Sequence, residues 1–211
     1  MPETLKSKRI RGFFQRLETS ILEEAEQKED QEKEISLEYV QMKLPVESIT
    51  DEFEAEIKSK VEKNFLNAKI REASHEDLES VLQIHNRAWL TANEPFRPIE
   101  LDTLEKIYEY PDTVLLIAKV YGQDGGFIML DFENEGKIGV IAGLGVLPRY
   151  QRKGLGTVLG MAAWNYFKTK GVEELRCEVY KDNTVSYSFI KSLGFEEYER
   201  KRYTKDDFTL A

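Results

Sequence analysis

The sequence predicts an α/β domain of the α+β, mixed-sheet kind, and three observations carry that prediction. Ile138 to Leu144 is an apolar, β-branched run bounded by Gly136 and Pro148, which reads as a buried strand. A loop with a proline, a basic run and two glycines leads from it into Leu155, Val158, Leu159, Ala162, Ala163 and Tyr166, which recur at helical spacing. Upstream, Thr113 to Tyr121 and Phe127 to Phe132 are apolar runs separated by glycine-bearing turns. Antiparallel hairpins beside a strand–loop–helix–strand unit imply a mixed sheet with helices packed on it.

In chain order, residues 1–67 differ from the rest: they hold 11 basic and 16 acidic residues and a single glycine. Ile10, Phe13, Phe14, Leu17 and Ile21 follow helical spacing, with Lys6, Lys8, Arg9, Arg11 and Arg16 around them. That is a basic amphipathic helix, suited to packing on its own domain or a second copy, or to docking on an anionic membrane or partner surface. Glu23 to Glu34 is a solvated helix or a disordered link. Ile35 to Leu44 fits helix or strand, and Pro45 ends it. Ser48 or Thr50 then caps a helix with the stripe Phe53, Ile57, Val61, Phe65. The expected division is a charged, helical extension at 1–67, separable from a domain at 68–211.

Ala68 to Ala73 reads as the first strand of that domain. Ser74-x-x-Asp77 is a capping box ahead of a helix with Leu78, Val81, Leu82, Ile84, His85, Ala88 and Trp89. His85 reads as a packed or helix-surface residue. Asn93 to Pro98 interrupts, and Leu101 to Tyr108 is a shorter helix. Gly122 to Gly126 and Asn134-Glu135-Gly136 make the two hairpin turns. Beyond the central helix, Gly171 and Gly194 are C-caps flanking strand Leu175 to Tyr180 and helix Thr184 to Ser192. Phe195 to Tyr203 is a further strand and Phe208 to Leu210 a short last one.

Composition narrows the function classes. The chain has 211 residues and a formal net charge of −9, which argues against bulk nucleic-acid binding. No apolar run approaches the ~20 residues of a membrane span, so no integral membrane contact is expected. A single cysteine, Cys177, makes no internal disulfide and fits the reducing cytoplasm, and its apolar surroundings mark an inert strand residue. Two histidines far from any cysteine make no zinc site, and no metal is expected.

The loop carries the chemistry. A helix start leaves N–H groups unpaired, and its dipole favours negative charge. Gly154 and Gly156 let a ligand approach the backbone. The spacing is neither a Walker loop nor a dinucleotide fingerprint. Val146-x-Pro148-x-Tyr150-Gln151-x-x-Gly154-x-Gly156 instead resembles the acetyl-CoA loop of the GNAT N-acetyltransferases, and the resemblance covers roughly residues 69–208. It implies acetyl-CoA as co-substrate, with Gln151, Arg152, Lys153, Gly154, Leu155, Gly156 and Thr157 around the pyrophosphate. It places Leu144, Gly145 and Val146 along the pantetheine arm.

Two further pieces resemble the same family. Asn183-x-x-Ser186 with Gly194-Phe195 is similar to its N-x-x-[AS]…G-F pattern, whose asparagine bonds the pantetheine or acetyl end; by itself such an asparagine is equally a helix cap. Glu178, in Glu178-Val179-x-x-x-Asn183, matches the glutamate that ribosomal-protein-type N-terminal acetyltransferases carry as general base. The alternative is a solvent-facing strand residue. The chemistry needs a base because most amines are protonated at neutral pH and cannot attack a thioester. The sequence departs from the pattern at Ile190, where many members have a proton-donating tyrosine; Tyr187, one turn earlier, is the candidate replacement. Val140 stands where some histone-type members have a glutamate, and of a paired-tyrosine motif only Tyr203 is present. The implied function is acetyl transfer to a primary amine of a protein N-terminus, a lysine or a small molecule, by direct attack in a ternary complex. The rival is a non-catalytic CoA-binding or assembly protein acting through 1–67, by homodimerisation or partner docking.

Overall fold

The computed structural model describes residues 6, 10, 37–92 and 100–204. Of the expected elements, the basic helix apart from Lys6 and Ile10, the stretch from Glu23 to Ser36, the interruption at 93–98 and the strand at 208–210 lie outside the described residues.

Seven strands form one sheet in the order β2-β3-β4-β5-β6-β1-β7. The strands are β1 (Leu37–Pro45), β2 (Lys69–Glu72), β3 (Val114–Val120), β4 (Gln123–Glu133), β5 (Ile138–Val146), β6 (Glu174–Tyr180) and β7 (Glu196–Tyr203). The β5–β6 pair is parallel and every other pair antiparallel, as a mixed sheet requires. The helices are α1 (Asp51–Glu62), α2 (Leu78–Trp89), α3 (Leu101–Tyr108), α4 (Leu155–Lys170) and α5 (Thr184–Ser192).

From Leu37 on, the ambiguous stretch is a strand, and it lies inside the sheet. β1 lies between β6 and β7 and pairs with both, Val40 with Val179 and Arg200, and Gln41 with Glu178 and Glu199. Val40, Met42 and Leu44 are buried on the face of α1, α4 and α5, while Tyr39, Gln41 and Lys43 point to the other face. α1 then packs on α4. Glu54, nearly buried, accepts from Lys58 at 2.6 Å and Lys168 at 2.9 Å, and these hydrogen bonds hold its carboxyl down to about 2. Residues 37–62 thus supply one strand of the sheet and a helix that packs on α4.

The helix boundaries follow local chemistry. Thr50 Oγ1 accepts from Phe53 N–H at 3.2 Å and caps α1, while Ser48 donates to Pro45 O. The capping box forms, with Asp77 Oδ2 accepting from Ser74 N–H at 2.7 Å. Phe65, expected in the α1 stripe, lies past the helix end and is exposed. The glycine run at 122–126 is mostly strand. The β3–β4 turn is Tyr121-Gly122, both at positive φ, and Gly125 is the extra residue of a bulge. A Cβ on Gly126 would stand 2.9 Å from Gly145 O, so glycine there answers to close strand packing.

Candidate active site

The site is built where the sheet splits. β5 and β6 pair only from Ile138–Glu174 to Ile141–Cys177. Ala142 is then an extra residue against β4, since Met129 faces Gly143 while Leu130 faces Ile141. This bulge bends β5 to stay with β4, whereas β6 stays with β1 as far as Tyr180 opposite Tyr39. Beyond the fork, Ala142 to Val146 have no strand partner on the β6 side. Their backbone can pair with an extended ligand. Opposite Gly145 stands the fully buried Phe127 ring, 2.5 Å from where a Cβ would sit, so glycine is imposed there by packing.

At the open end of the fork the glycine-bearing loop enters α4. Arg152 and Gly154 both hold left-handed conformations, φ 56° and 81°, and turn the chain into the helix. The first intrahelical bond runs from Val158 N–H to Gly154 O, so the N–H groups of Leu155, Gly156 and Thr157 precede the ladder, and a 16-residue helix dipole stands behind them. Arg152 and Lys153 are exposed beside these donors. Such a set suits a pyrophosphate. Gln151 braces the loop from within. Its Nε2 donates to Val146 O and Thr91 Oγ1, both at 2.9 Å, and its backbone N–H to Pro148 O. It ties the strand end and α2 to the loop. Asn64, from the end of α1, donates to Lys153 O at 2.8 Å and fills the space beside Gly154. A Cβ on Gly156 would meet the Phe189 ring at 3.2 Å, so this glycine also sets how closely α5 approaches α4.

Glu178 is half-buried on the face of β6 opposite Cys177 and Val179. Its Oε1 accepts from Tyr203 Oη at 2.9 Å. Tyr39 links the two strands across β1, with ring centroids 5.5 Å from Tyr180 and 5.8 Å from Tyr203. The sequence pointed to Glu178 but not to this setting, because Tyr39 and Tyr203 reach it only through a strand whose partners lie far away in the chain. Asn183 is a cap: its Oδ1 accepts from Ser186 N–H at 3.1 Å, and the residue is buried at the mouth of the fork. Tyr187 is not brought to Glu178. Its hydroxyl donates to Glu197 on β7 at 3.3 Å, and Ile190 packs into the core. Burial pushes the Cys177 thiol up, as an inert core residue requires.

His85 is packed and not positioned for catalysis. It is 2 % exposed, with its ring centroid 4.1 Å from Trp89, and burial holds it down to about 3. The unfolded chain binds this proton near pH 6.5 and the folded chain does not, so stability is full above ~6.5 and falls as the pH drops below it. Thermal or urea melts should lose up to ~1.4 kcal/mol per pH unit between pH 6.5 and 5, above the range where Glu54 contributes. His85→Leu should flatten that slope.

Among the described residues no group of His, Cys, Asp and Glu could hold a metal ion, and no helix is long and apolar enough to cross a membrane.

Residues 78–195 match the model of the acetyltransferase (GNAT) family, from α2 through the glycine-bearing loop to just past α5. The chain belongs to the GNAT family. It is an acetyl-CoA-dependent N-acetyltransferase. It is 30% identical over 146 residues to an N-alpha-acetyltransferase of Sulfurisphaera tokodaii, covering 64% of this chain and 84% of that protein. An aminoglycoside N(6')-acetyltransferase type 1 of Acinetobacter haemolyticus is 26% identical over 144 residues, 64% of this chain and 94% of the other. Among solved structures, the PaiA N-acetyltransferase from Thermoplasma acidophilum in complex with coenzyme A matches with a TM-score of 0.54 at 25% identity, over 65% of this chain and 99% of that one. These matches span about two thirds of the GNAT chain described here.

Proposed function

We propose that this GNAT enzyme transfers acetyl from acetyl-CoA to a primary amine by direct attack in a ternary complex, with Glu178 as general base. The observation that carries the reading is the fork: β6 parts from β5 after Cys177, just before the half-buried carboxylate of Glu178, and leaves the backbone of Ala142 to Val146, which leads into the glycine-bearing loop, without a strand on that side. The thioester supplies the acetyl group. Leu155, Gly156 and Thr157 bind the pyrophosphate through their N–H groups, with Arg152 and Lys153 adding charge. Leu144, Gly145 and Val146 pair with the pantetheine arm and aim an N–H at the oxyanion that develops on the carbonyl. Asn183 shapes the mouth of the fork as a cap.

Glu178 takes the proton from the ammonium form of the acceptor, which frees the lone pair for attack. Tyr203 fixes one carboxylate oxygen, and the proton goes to the other. With Ile190 aliphatic and Tyr187 turned to Glu197, the thiolate departs without an acid, which a thiol pKa near ~8.5 allows. The similarity to an N-alpha-acetyltransferase favours a peptide N-terminus as acceptor, and the aminoglycoside enzyme keeps small amines in view.

Binding is tested by melting. Acetyl-CoA at ~100 times its dissociation constant should raise stability by ~2.7 kcal/mol. Gly154→Val should abolish the shift, because the left-handed turn rejects a branched side chain and Asn64 occupies the space. The acceptor is tested by turnover on N-terminal peptides, lysine peptides and aminoglycosides. Turnover on none of them, with CoA bound, would overturn the primary-amine assignment.

A further inference from the structure

Glu178 has a second neighbour that none of the family-matched residues provides. Gln41, on β1, is the direct cross-strand partner of Glu178, and both side chains rise on the same face of the sheet. Directly opposed Cβ atoms stand about 4.5–5.5 Å apart, so the two side chains reach one another by rotation alone. Gln41 is 3 % exposed, and its Nε2 makes no hydrogen bond to any described residue. A buried amide left without a partner is destabilising. An apolar side chain of the same length would avoid that cost.

The other donors on this face are committed elsewhere. Arg176 Nε donates to Glu174 at 2.6 Å, Lys43 lies over the Tyr198 ring, and Lys201 lies 3.9 Å from Glu199. Tyr203 holds Glu178 from the far side of β1. Gln41 is thus a donor with its amide unused, on the strand beside the carboxylate.

We propose that Gln41 is a positioning residue for Glu178: when the acceptor amine docks, the Gln41 amide turns to donate to the carboxylate oxygen that also accepts from Tyr203, and the two donors hold the base in place. The other oxygen then receives the proton from the ammonium, so the amine leaves its N–H bond pair on nitrogen and Glu178 becomes the neutral acid. This inference rests on Glu178 being the base. It goes beyond that reading by giving the N-terminal strand, which lies outside the family-matched residues 78–195, a part in the reaction.

Gln41→Met keeps length and volume and removes the donor. Compared on an amine that the wild type accepts, it should lower kcat about tenfold and leave the acetyl-CoA KM unchanged. It should also move the acidic limb of the pH–rate profile to higher pH, because the carboxylate loses a bond to its charged form. The melting temperature should hold or rise, since an unmade buried amide is removed. Wild-type kcat and an unmoved profile in Gln41→Met, beside an inactive Glu178→Gln, would overturn the role of Gln41 and leave the base in place. A fully active Glu178→Gln would remove the base and this inference together. A lowered melting temperature in Gln41→Met would show the amide to be a structural bond and equally overturn the proposal.

Discussion

Deletion of residues 1–45 should leave a chain that does not fold, while deletion of 1–36 keeps all seven strands. The first cut removes β1, which holds β6 and β7 together, so β7 loses its partner in the sheet. Leu37, Val40, Met42 and Leu44 are at most 7 % exposed. At about 1.5–3 kcal/mol each, their burial contributes roughly 6–12 kcal/mol. That equals the whole stability of an ordinary domain, about 5–15 kcal/mol. The second cut removes Lys6, which pairs with the buried Asp131, and Ile10, which sits in the core. It should lower the melting temperature and still give one cooperative transition. Solubility and a melting curve read both outcomes. A soluble, acetyl-CoA-binding 46–211 fragment would mean that another segment can close the gap between β6 and β7. Met42→Ala is the point version of the same test and should cost about 2–5 kcal/mol.

That strand shows where sequence reading stops. Val40, Met42 and Leu44 alternate with Gln41 and Lys43, which is the period of a strand half-covered by helices. The alternation is short, and the charged run before it hides its start. What local pattern cannot carry is the partner: β1 pairs with residues more than 120 positions downstream, and nothing within reach of it in sequence says so. The boundary at residue 67 followed from texture, since charge density and the lack of glycine both change near there. Texture reports surface, and β1 with α1 is a buried element inside a charged stretch.

The strand–loop–helix turn at Val146 to Thr157 was legible because all of its causes are local. A strand, two glycines and a helix start lie within one short stretch, and the donors are backbone groups of that same stretch. Glycine roles were only half legible. Gly154 turns the chain, whereas Gly145 yields to Phe127 and Gly156 to Phe189, contacts set by a neighbouring strand and a neighbouring helix. The surroundings of Tyr187 were hidden for a related reason. Helical spacing placed it one turn from Ile190, but the face it presents is fixed by how α5 meets β7, and there Glu197 takes its hydroxyl.

Glu178→Gln should bind acetyl-CoA as the wild type does and lose about 10²–10⁴-fold in turnover. The amide keeps the shape of the carboxylate and still accepts from Tyr203, so the fork is undisturbed. What it cannot do is hold a proton taken from an ammonium. The deficit should therefore narrow as the pH rises and more of the acceptor arrives already neutral, and this pH dependence separates a lost base from a damaged pocket. Tyr203→Phe should cost much less, since it removes one bond to a carboxylate that keeps its other neighbours, and Tyr187→Phe should cost almost nothing, because its hydroxyl lies on Glu197. Steady-state rates of the three variants from pH 6 to 9, with acetyl-CoA binding checked by melting shift, decide the matter. Equal rates for Glu178→Gln and wild type across that range would take Glu178 out of the mechanism, and a large loss in Tyr187→Phe would restore it as the acid in place of Ile190.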